Sequence, residues 1–120
     1  MADKAEYDSV DVVVSLFLAW IKAWQGGDAD SYLLFYSNNF NYPGSSQDKW
    51  KISRRAALGN NKNITINFSD IQILQGKDTV EISFVQQYKS DKHADRGHKT
   101  LVWKKEGDGW RIIREDWLAV

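Results

Sequence analysis

The chain contains no cysteine and a single proline, and its 16 basic residues are balanced by 16 acidic ones. Without cysteine it cannot form a disulfide, a thiolate zinc site or a cysteine nucleophile. A net charge of zero gives no electrostatic reason to expect nucleic acid as a partner. Localisation stays open, because a chain without cysteine is compatible with reducing and oxidising compartments alike.

Long hydrophobic runs are also missing. The apolar stretch near the start is interrupted by Lys22 before it reaches the roughly 20 residues that a membrane span requires. No cationic segment precedes that stretch, and Asp8 and Asp11 lie where a signal peptide would be uncharged. We therefore expect neither membrane insertion nor a signal peptide in this chain, and residues 1–120 fit one domain.

Aromatic residues, in contrast, are abundant: six Trp, five Tyr and five Phe. Many of them fall within LAWIKAWQGGDADSYLLFYSNNF at residues 18–40. Such a load is typical of a core built from large rings or of an aromatic cavity.

Helical periodicity dominates the first half of the chain. Apolar residues at helical spacing predict a helix over 9–25 with Asp8 or Ser9 as N-cap, ended by Gly26-Gly27. Asp28 can cap a short second helix that carries Tyr32, Leu33 and Tyr36. A short strand around Phe40 and Tyr42, a turn at Pro43-Gly44 and a capping box at 45–48 then lead into a third helix over 47–58.

Beyond residue 61 the apolar period changes from 3.6 to 2. Val80, Ile82 and Phe84, for example, alternate with polar residues. Breaks at QGKD (75–78), SDKHADRG (90–97) and EGDG (106–109) are spaced as hairpin connections, which predicts four antiparallel strands in a meander. Helices first and strands after is an α+β order, in which the three helices must cover the apolar face of a curved sheet and produce a cone.

This order carries a set of characteristic residues and triplets: Trp20, Trp24, Asp28, Tyr32, FYS at 35–37, Phe40, Trp50, Arg54, QQY at 86–88, KTL at 99–101, WRI at 110–112 and Glu115. With them the chain resembles the nuclear transport factor 2-like (SnoaL-like, ketosteroid isomerase-like) superfamily. Within it, the chain is similar to the small domains appended to bacterial L,D-transpeptidase-like cell-envelope proteins. The resemblance implies a cone-shaped α+β barrel with a pocket between helices and sheet, in a superfamily that includes isomerases, cyclases, dehydratases and non-catalytic binding domains. Transpeptidase chemistry would lie elsewhere, because it uses a cysteine that this chain lacks.

Five residues are candidates for ligand binding in such a pocket: Tyr36, Trp50, Arg54, Gln86 and Tyr88. Trp50 and Arg54 share one face of the third helix, so that a guanidinium could bind a carboxylate or a sugar acid. Gln86 and Tyr88 share strand parity with Phe84 and carry polar groups towards the same face. The alternative for Arg54 is an internal ion pair with Glu115 or Asp116.

Catalytic and metal-binding groups are less convincing. Asp28 and Asp30 fit helix capping, Asp70 follows a polar strand start, and Asp116 lies near the chain end. His93 and His98 share a polar hairpin with Asp91 and Asp95, but no His-x-His or His-x-x-x-His pair exists. We expect no catalytic residue, no metal site and no cofactor.

The sequence favours a non-catalytic binding module for a small molecule or an extended peptide or glycan. The alternatives are a small-molecule isomerase, cyclase or dehydratase, and a homodimerisation domain. Dimerisation is suggested because the helices cannot cover Trp103, Ile113 and Trp117 together, and because adjacent Ile112 and Ile113 place apolar residues on both faces of the last strand. A place in the cell envelope is open if the chain is part of a longer protein.

Overall fold

A computed structural model describes residues 4–40 and 46–120, with side chains described from residue 9 onward. Three helices precede four strands: α1 Lys4–Gln25, α2 Ala29–Leu34, α3 Gln47–Asn60, β1 Thr65–Gln75, β2 Thr79–Lys89, β3 Ala94–Glu106 and β4 Gly109–Ala119. This order confirms the predicted α+β class. No helix in the described ranges has the length and hydropathy needed to cross a bilayer.

The first helix is longer than predicted. It begins at Lys4, so Asp8 and Ser9 lie inside it and neither is its N-cap. Ala5 and Glu6 are good helix formers and extend the helix through the weakly apolar start. Its end is as predicted, because Gly27 adopts a left-handed φ of 66° and Gly26 N donates to Lys22 O at 2.9 Å.

The second helix is capped as predicted but is shorter. The Asp28 carboxylate accepts a hydrogen bond from Ser31 N at 3.1 Å. The helix ends at Leu34, so the expectation that Tyr36 is helical is wrong. Instead, Tyr36 forms a parallel bridge with Ile112 of β4, and Ser37 N donates to Ile112 O at 2.9 Å. These bonds to the sheet replace the next helical turn.

The third helix starts at the predicted residue and extends two residues further, to Asn60. Its N-cap is Ser46, whose hydroxyl accepts from Lys49 N at 3.3 Å. Phe40 is not part of a strand. The rest of that predicted strand, the Pro43-Gly44 turn and Ser45 lie outside the described residues.

The four strands form one antiparallel meander in the order β1-β2-β3-β4. The connections fall within the predicted breaks, but the second is shorter than the predicted 90–97 because β3 begins at Ala94 and pairs with the end of β2. Two irregularities interrupt the ladder, one between Ser69 and Gln72 and one between Val102 and Trp103. At the first, Asp70 has a φ of 54°. Bulges of this kind bend a strand and increase its twist, which curves the sheet around the helices.

The inner face of the sheet builds the core against α1. Val80, Ile82 and Phe84 of β2 are buried, and the Phe17 ring lies 5.0 Å from that of Phe84. Trp103 is fully buried on the same face. The helices therefore cover more of the sheet than the sequence suggested.

The dimerisation hypothesis rested on apolar residues that the helices were not expected to cover together, namely Trp103, Ile113 and Trp117, and on the adjacent pair Ile112 and Ile113. Trp103 belongs to the core, and Trp117 pairs with Lys99 on the inner face. Ile112 is buried, while Ile113 lies at the bulge and is half-buried. Ile113 is left unpaired by the bulge, so simple alternation does not assign its face, whereas Trp117 is 40% exposed and dimerisation itself stays a prediction.

Candidate functional site

A cavity of about 430 Å³ lies between the three helices and one end of the sheet. Its walls are aromatic and aliphatic, and charged groups reach it from α3, β3 and β4. The lining residues are Trp24, Tyr32, Phe40, Trp50, Arg54, Ala57, Leu58, Asn61, Gln86, Tyr88, His93, Asp95, Lys99, Glu115 and Trp117. A concave, mostly apolar space with a few convergent polar groups is the usual form of a small-molecule site.

The structure brings four of the five predicted site residues together around this cavity: Trp50, Arg54, Gln86 and Tyr88. Tyr36 lies beneath it. Its ring packs at 4.7 Å from that of Trp50 and is almost fully buried, so it contributes to the floor and not to the surface.

Arg54 is held over aromatic rings. Its Cζ atom lies 5.6 Å from the Trp24 ring centroid and 5.2 Å from that of Tyr32. Within the described ranges it forms no ion pair with Glu115 or Asp116, and its Nε is buried without a hydrogen-bond partner. The alternative of a locked internal ion pair was therefore wrong. The cation is stabilised by ring faces and, against the effect of burial, by the nearby charge of Glu115, which helps to raise the pKa of Arg54.

Glu115 pairs instead with Lys99, an interaction that the sequence did not suggest. Lys99 Nζ lies 2.7 Å from Glu115 Oε2, and the two side chains are 7% and 17% exposed. The ammonium also stands 4.9 Å from the Trp24 ring centroid and 5.4 Å from that of Trp117. Arg54 and Lys99 thus contact the same indole of Trp24.

The second oxygen of Glu115 is bound from below. Tyr36 OH donates to Glu115 Oε1 at 2.5 Å, and Trp20 Nε1 donates to Tyr36 OH at 3.1 Å. The hydroxyl of Tyr32 lies 2.9 Å from that of Tyr36. A chain of hydrogen bonds therefore runs from the core to the ion pair and fixes its position.

Burial and charge act in opposite directions on the ionisation of this network. Burial tends to raise the pKa of Glu115, but the Lys99 ammonium and the hydrogen bonds from Lys99 and Tyr36 outweigh it and lower that pKa. Burial raises the pKa of Tyr32 to about 12, and burial together with the Glu115 charge raises the pKa of Tyr36 well above its usual value. At neutral pH the network therefore consists of a carboxylate, an ammonium and two neutral phenols.

Three polar atoms at the cavity remain without a partner. Besides Arg54 Nε, they are Gln86 Oε1 and Asp95 Oδ1, all buried and all lacking a hydrogen bond within the described part of the chain. Gln86 as a whole is only 2% exposed. Buried polar atoms are normally paired, and leaving one unpaired costs about 1 to 3 kcal/mol.

The carboxylates considered for catalysis from the sequence do not line the cavity. Asp28 caps α2, and Asp30 accepts from Arg55 Nη1 at 2.6 Å on the exposed surface. Asp70 is exposed at the bulge of β1, and Asp116 pairs with Arg114 at 2.9 Å in solvent. Asp95 and Glu115 are the acids that reach the cavity.

The histidine hairpin separates into two parts. His93 Nε2 lies 2.8 Å from Asp95 Oδ2 and both residues line the cavity, whereas His98 is exposed and lies outside its lining. Asp91 accepts from Asn63 Nδ2 at 2.8 Å instead. Across residues 4–40 and 46–120, no three His, Asp or Glu side chains come close enough together to hold a metal ion.

Sequence reasoning missed Lys99, Asp95 and Trp117 as cavity residues. Lys99 shares strand parity with Leu101 and Trp103, which are both core residues, so its inward direction was readable from alternation. Asp95 could not be predicted in this way, because the sequence placed it in the connecting loop 90–97, whereas in the structure it belongs to β3.

Comparison with known proteins relates the chain to domains of longer bacterial proteins. It superposes on Bd1075 of Bdellovibrio bacteriovorus with a TM-score of 0.83 and 32% identity, over 99% of this chain and 44% of that one. It is similar to the helical cell shape determining protein Pgp2 of Campylobacter jejuni, with a TM-score of 0.77 and 26% identity over 88% of this chain and 40% of that one. The chain therefore spans less than half the length of these two relatives.

A more distant similarity concerns the fold alone. A Streptomyces avermitilis protein of the NTF2-like family, proposed to be a dehydratase, matches with a TM-score of 0.77 and 16% identity, over 92% of this chain and 96% of that one. No curated protein sequence gives a significant match. The model of the Cds6 C-terminal NTF2-like domain matches residues 12–116. The chain belongs to this family of NTF2-like domains.

Proposed function

We propose that the chain is a non-catalytic binding module whose cavity holds an anionic or carbohydrate-like small molecule, or an extended peptide or glycan of a partner. The observation that carries this proposal is the set of buried, unpartnered atoms at one cavity: Arg54 Nε, Gln86 Oε1 and Asp95 Oδ1. A bound molecule that pairs with them removes a cost that the free domain bears.

The groups that meet at the cavity suit recognition. Arg54 supplies a fixed cation with a free N–H, Gln86 supplies a neutral acceptor, and Tyr88 supplies a hydroxyl on a half-buried ring. Aromatic walls such as Trp50 can pack against the apolar parts of a ligand. An arginine does not act as a base at neutral pH, and an amide does not titrate.

The most buried acid at the cavity is poorly suited to proton transfer. Both oxygens of Glu115 are engaged, one by Lys99 and one by Tyr36. Its lowered pKa disfavours taking up a proton, and the raised pKa values of Tyr32 and Tyr36 keep these phenols neutral. Such a network is better suited to forming a charged part of the cavity wall than to transferring a proton.

Ligand-observed NMR with carboxylated sugars and cell-wall peptides tests the proposal. We expect weak binding that Arg54→Ala reduces at least about tenfold for anionic ligands, since a charge-assisted hydrogen bond contributes about 1.5 to 3 kcal/mol. Tyr88→Phe removes one hydrogen bond and should weaken binding by about 2- to 10-fold. The matched control is Arg55→Ala, which removes the same charge from the neighbouring exposed position.

The result that contradicts the proposal is an equal effect of the two arginine variants, because Arg55 faces Asp30 outside the cavity. Absence of binding by every sugar acid and peptide would also count against it.

One observation favours a second candidate, an isomerase, cyclase or dehydratase. Asp95 has an unpartnered oxygen at the cavity while its other oxygen contacts His93, so a carboxylate base is available. A ketosteroid isomerisation assay with Asp95→Asn separates the candidates. Turnover that disappears in this variant establishes the enzyme, whereas ligand binding without turnover supports the module.

The relatives suggest the context in which such a module would work. Each is more than twice as long as the matched region, and one is a cell shape determining protein. We propose that this chain serves as an accessory domain of a longer cell-envelope protein. Binding to isolated cell-wall sacculi that is reduced by Arg54→Ala and retained by Arg55→Ala is the expected result.

Homodimerisation through the outer sheet face stays a prediction, which is now supported by exposed leucines on that face. Leu74 and Leu118 project from the outer rows of β1 and β4 and are 67% and 70% exposed. Light scattering at micromolar concentrations should give twice the monomer mass of 13.8 kDa. A monomer mass at every concentration removes the dimerisation function.

A further inference from the structure

Trp117 is held against β3 by the absence of a side chain at residue 97. A Cβ atom placed on Gly97 would lie 2.8 Å from Cζ2 and Cη2 of the Trp117 indole. This is closer than side-chain carbons approach, so only glycine allows the ring to rest on the strand here. The Cζ2–Cη2 edge of the indole therefore lies close against the backbone of β3.

The rest of the indole borders the cavity. Trp117 is among the lining residues. It is 40% exposed, more than any of the other five tryptophans. The Lys99 ammonium stands over this ring, 5.4 Å from its centroid, and holds it beside the ion pair. A partly exposed ring, supported from behind and facing a cavity, is suited to stacking with a flat or apolar ring of a ligand.

A polar atom adjoins this ring. Gln86 is the direct cross-strand partner of Gly97, so its side chain rises from the same inner face beside the place where the indole rests. Gln86 is 2% exposed, yet its Oε1 has no hydrogen-bond partner within the described ranges. An acceptor in this position can receive an O–H or N–H from the edge of a ring that stacks on Trp117.

From these contacts we propose that Trp117, resting on Gly97, selects ligands that contain a ring with an apolar face and a donor on its edge. The ring stacks on the indole, its hydroxyl or N–H donates to Gln86 Oε1, and its anionic substituent lies towards Arg54. This inference rests on the proposed binding function and adds a specificity-determining residue to it. A sugar acid and a hydroxylated aromatic acid share this chemistry.

The test compares ring-containing and acyclic anions of equal charge. Dissociation constants for glucuronate, para-hydroxybenzoate and lactate are measured by NMR titration of the whole chain and of its variants. At least one of the two ring anions should bind at least about fivefold more tightly than lactate, since an aromatic stacking contact contributes about 1 kcal/mol to the free energy of binding. Which of the two binds more tightly identifies the sugar or the aromatic source.

Three variants locate the effect. Trp117→Ala should abolish the preference for ring anions and leave lactate binding within about twofold, whereas Trp117→Phe should retain most of the preference because it keeps a flat ring. Leu118→Ala is the matched control, since it shortens the adjacent side chain on the outer face. If Trp117→Ala does not fold, the spectrum of Trp117→Phe is used instead. The indole N–H resonance that is present in the parent chain and missing from this variant belongs to Trp117. That resonance should shift with ring anions and not with lactate.

Two results would overturn the inference while the proposed function stands. The parent chain could bind all three anions equally, or Trp117→Ala could weaken all three by the same factor, which would mean that the indole acts only by supporting Lys99. Failure of all three anions to bind would instead contradict the anion-binding function, and this inference with it.

Discussion

The two ends of strand β2 both face the helical layer, but their side chains do different things. At one end Val80, Ile82 and Phe84 are buried in the hydrophobic core. At the other end, Gln86 and Tyr88 continue the same inward row and line a cavity. The alternation of the strand is unbroken, so the difference arises from side-chain chemistry and from what the helices place opposite.

The opposing helices explain why one end is closed and the other open. At the closed end, the Phe17 ring of α1 fills the space at 5.0 Å from Phe84. At the open end, α3 presents Arg54 and Trp50, which form part of the wall of the cavity of about 430 Å³. A cavity with polar groups can thus form beside an ordinary core when polar side chains replace apolar ones along a single strand row.

The largest change in stability is expected from Trp24, whose ring connects the buried core to the cavity. Trp24 is 6% exposed and contacts the rings of Trp20, Tyr32 and Tyr88. Trp24→Ala should lower the free energy of unfolding by about 3 to 5 kcal/mol, as removal of a buried large ring does. Urea denaturation measures it, with the half-exposed Leu18→Ala as control. A loss below about 1 kcal/mol would show that the open end is not continuous with the core.

The next effect concerns the ion pair at the open end. Lys99→Met should cost about 3 kcal/mol, because it leaves the Glu115 carboxylate in a mostly buried position without its cation. The double variant Lys99→Met, Glu115→Gln should cost less than the sum of the two single variants. Additive costs in chemical denaturation would contradict the pairing.

A smaller effect should appear at alkaline pH. The pKa of Tyr32 is raised to about 12 from a value of 10.0. A raised pKa means that the folded state favours the neutral phenol, so this contribution is complete below about pH 10 and is lost as the pH rises towards about 12. Between about pH 9 and pH 11, the parent chain should lose about 1 kcal/mol more stability than Tyr32→Phe. Equal losses in the two proteins would show that Tyr32 titrates as an exposed tyrosine does.

Much of the fold was predictable because it follows from periodicity and from local signals. The change of period after residue 61, the stop at Gly26-Gly27 and the Asp28 cap are local features, and all three appear in the structure. The start of α1 and the end of α2 were missed. The former depended on weak propensity alone, and the latter on hydrogen bonds to the distant residue Ile112.

The candidate site was predictable in its members but not in its pairings. Alternation placed Gln86 and Tyr88 correctly, and helical spacing placed Trp50 and Arg54. Which cation pairs with Glu115 depends on the register between β3 and β4, and this register is altered by the bulge at Val102 and Trp103. A sequence pattern does not fix such a bulge, so Lys99 was missed as the partner of Glu115. Tyr36 was predicted to line the cavity, whereas it lies beneath the cavity surface and donates a hydrogen bond to Glu115.

The most direct test of the binding site is an NMR titration of the isotopically labelled chain with a sugar acid, observing the side-chain resonances of Arg54 Nε–H and Gln86. Both groups lie at the cavity and each has a buried atom without a partner. The account predicts that these resonances shift together, with one dissociation constant, while amides of the outer-face residues Thr100 and Val102 stay unchanged. Shifts confined to the outer face, or Arg54 and Gln86 resonances that do not respond to any ligand that binds, would contradict it.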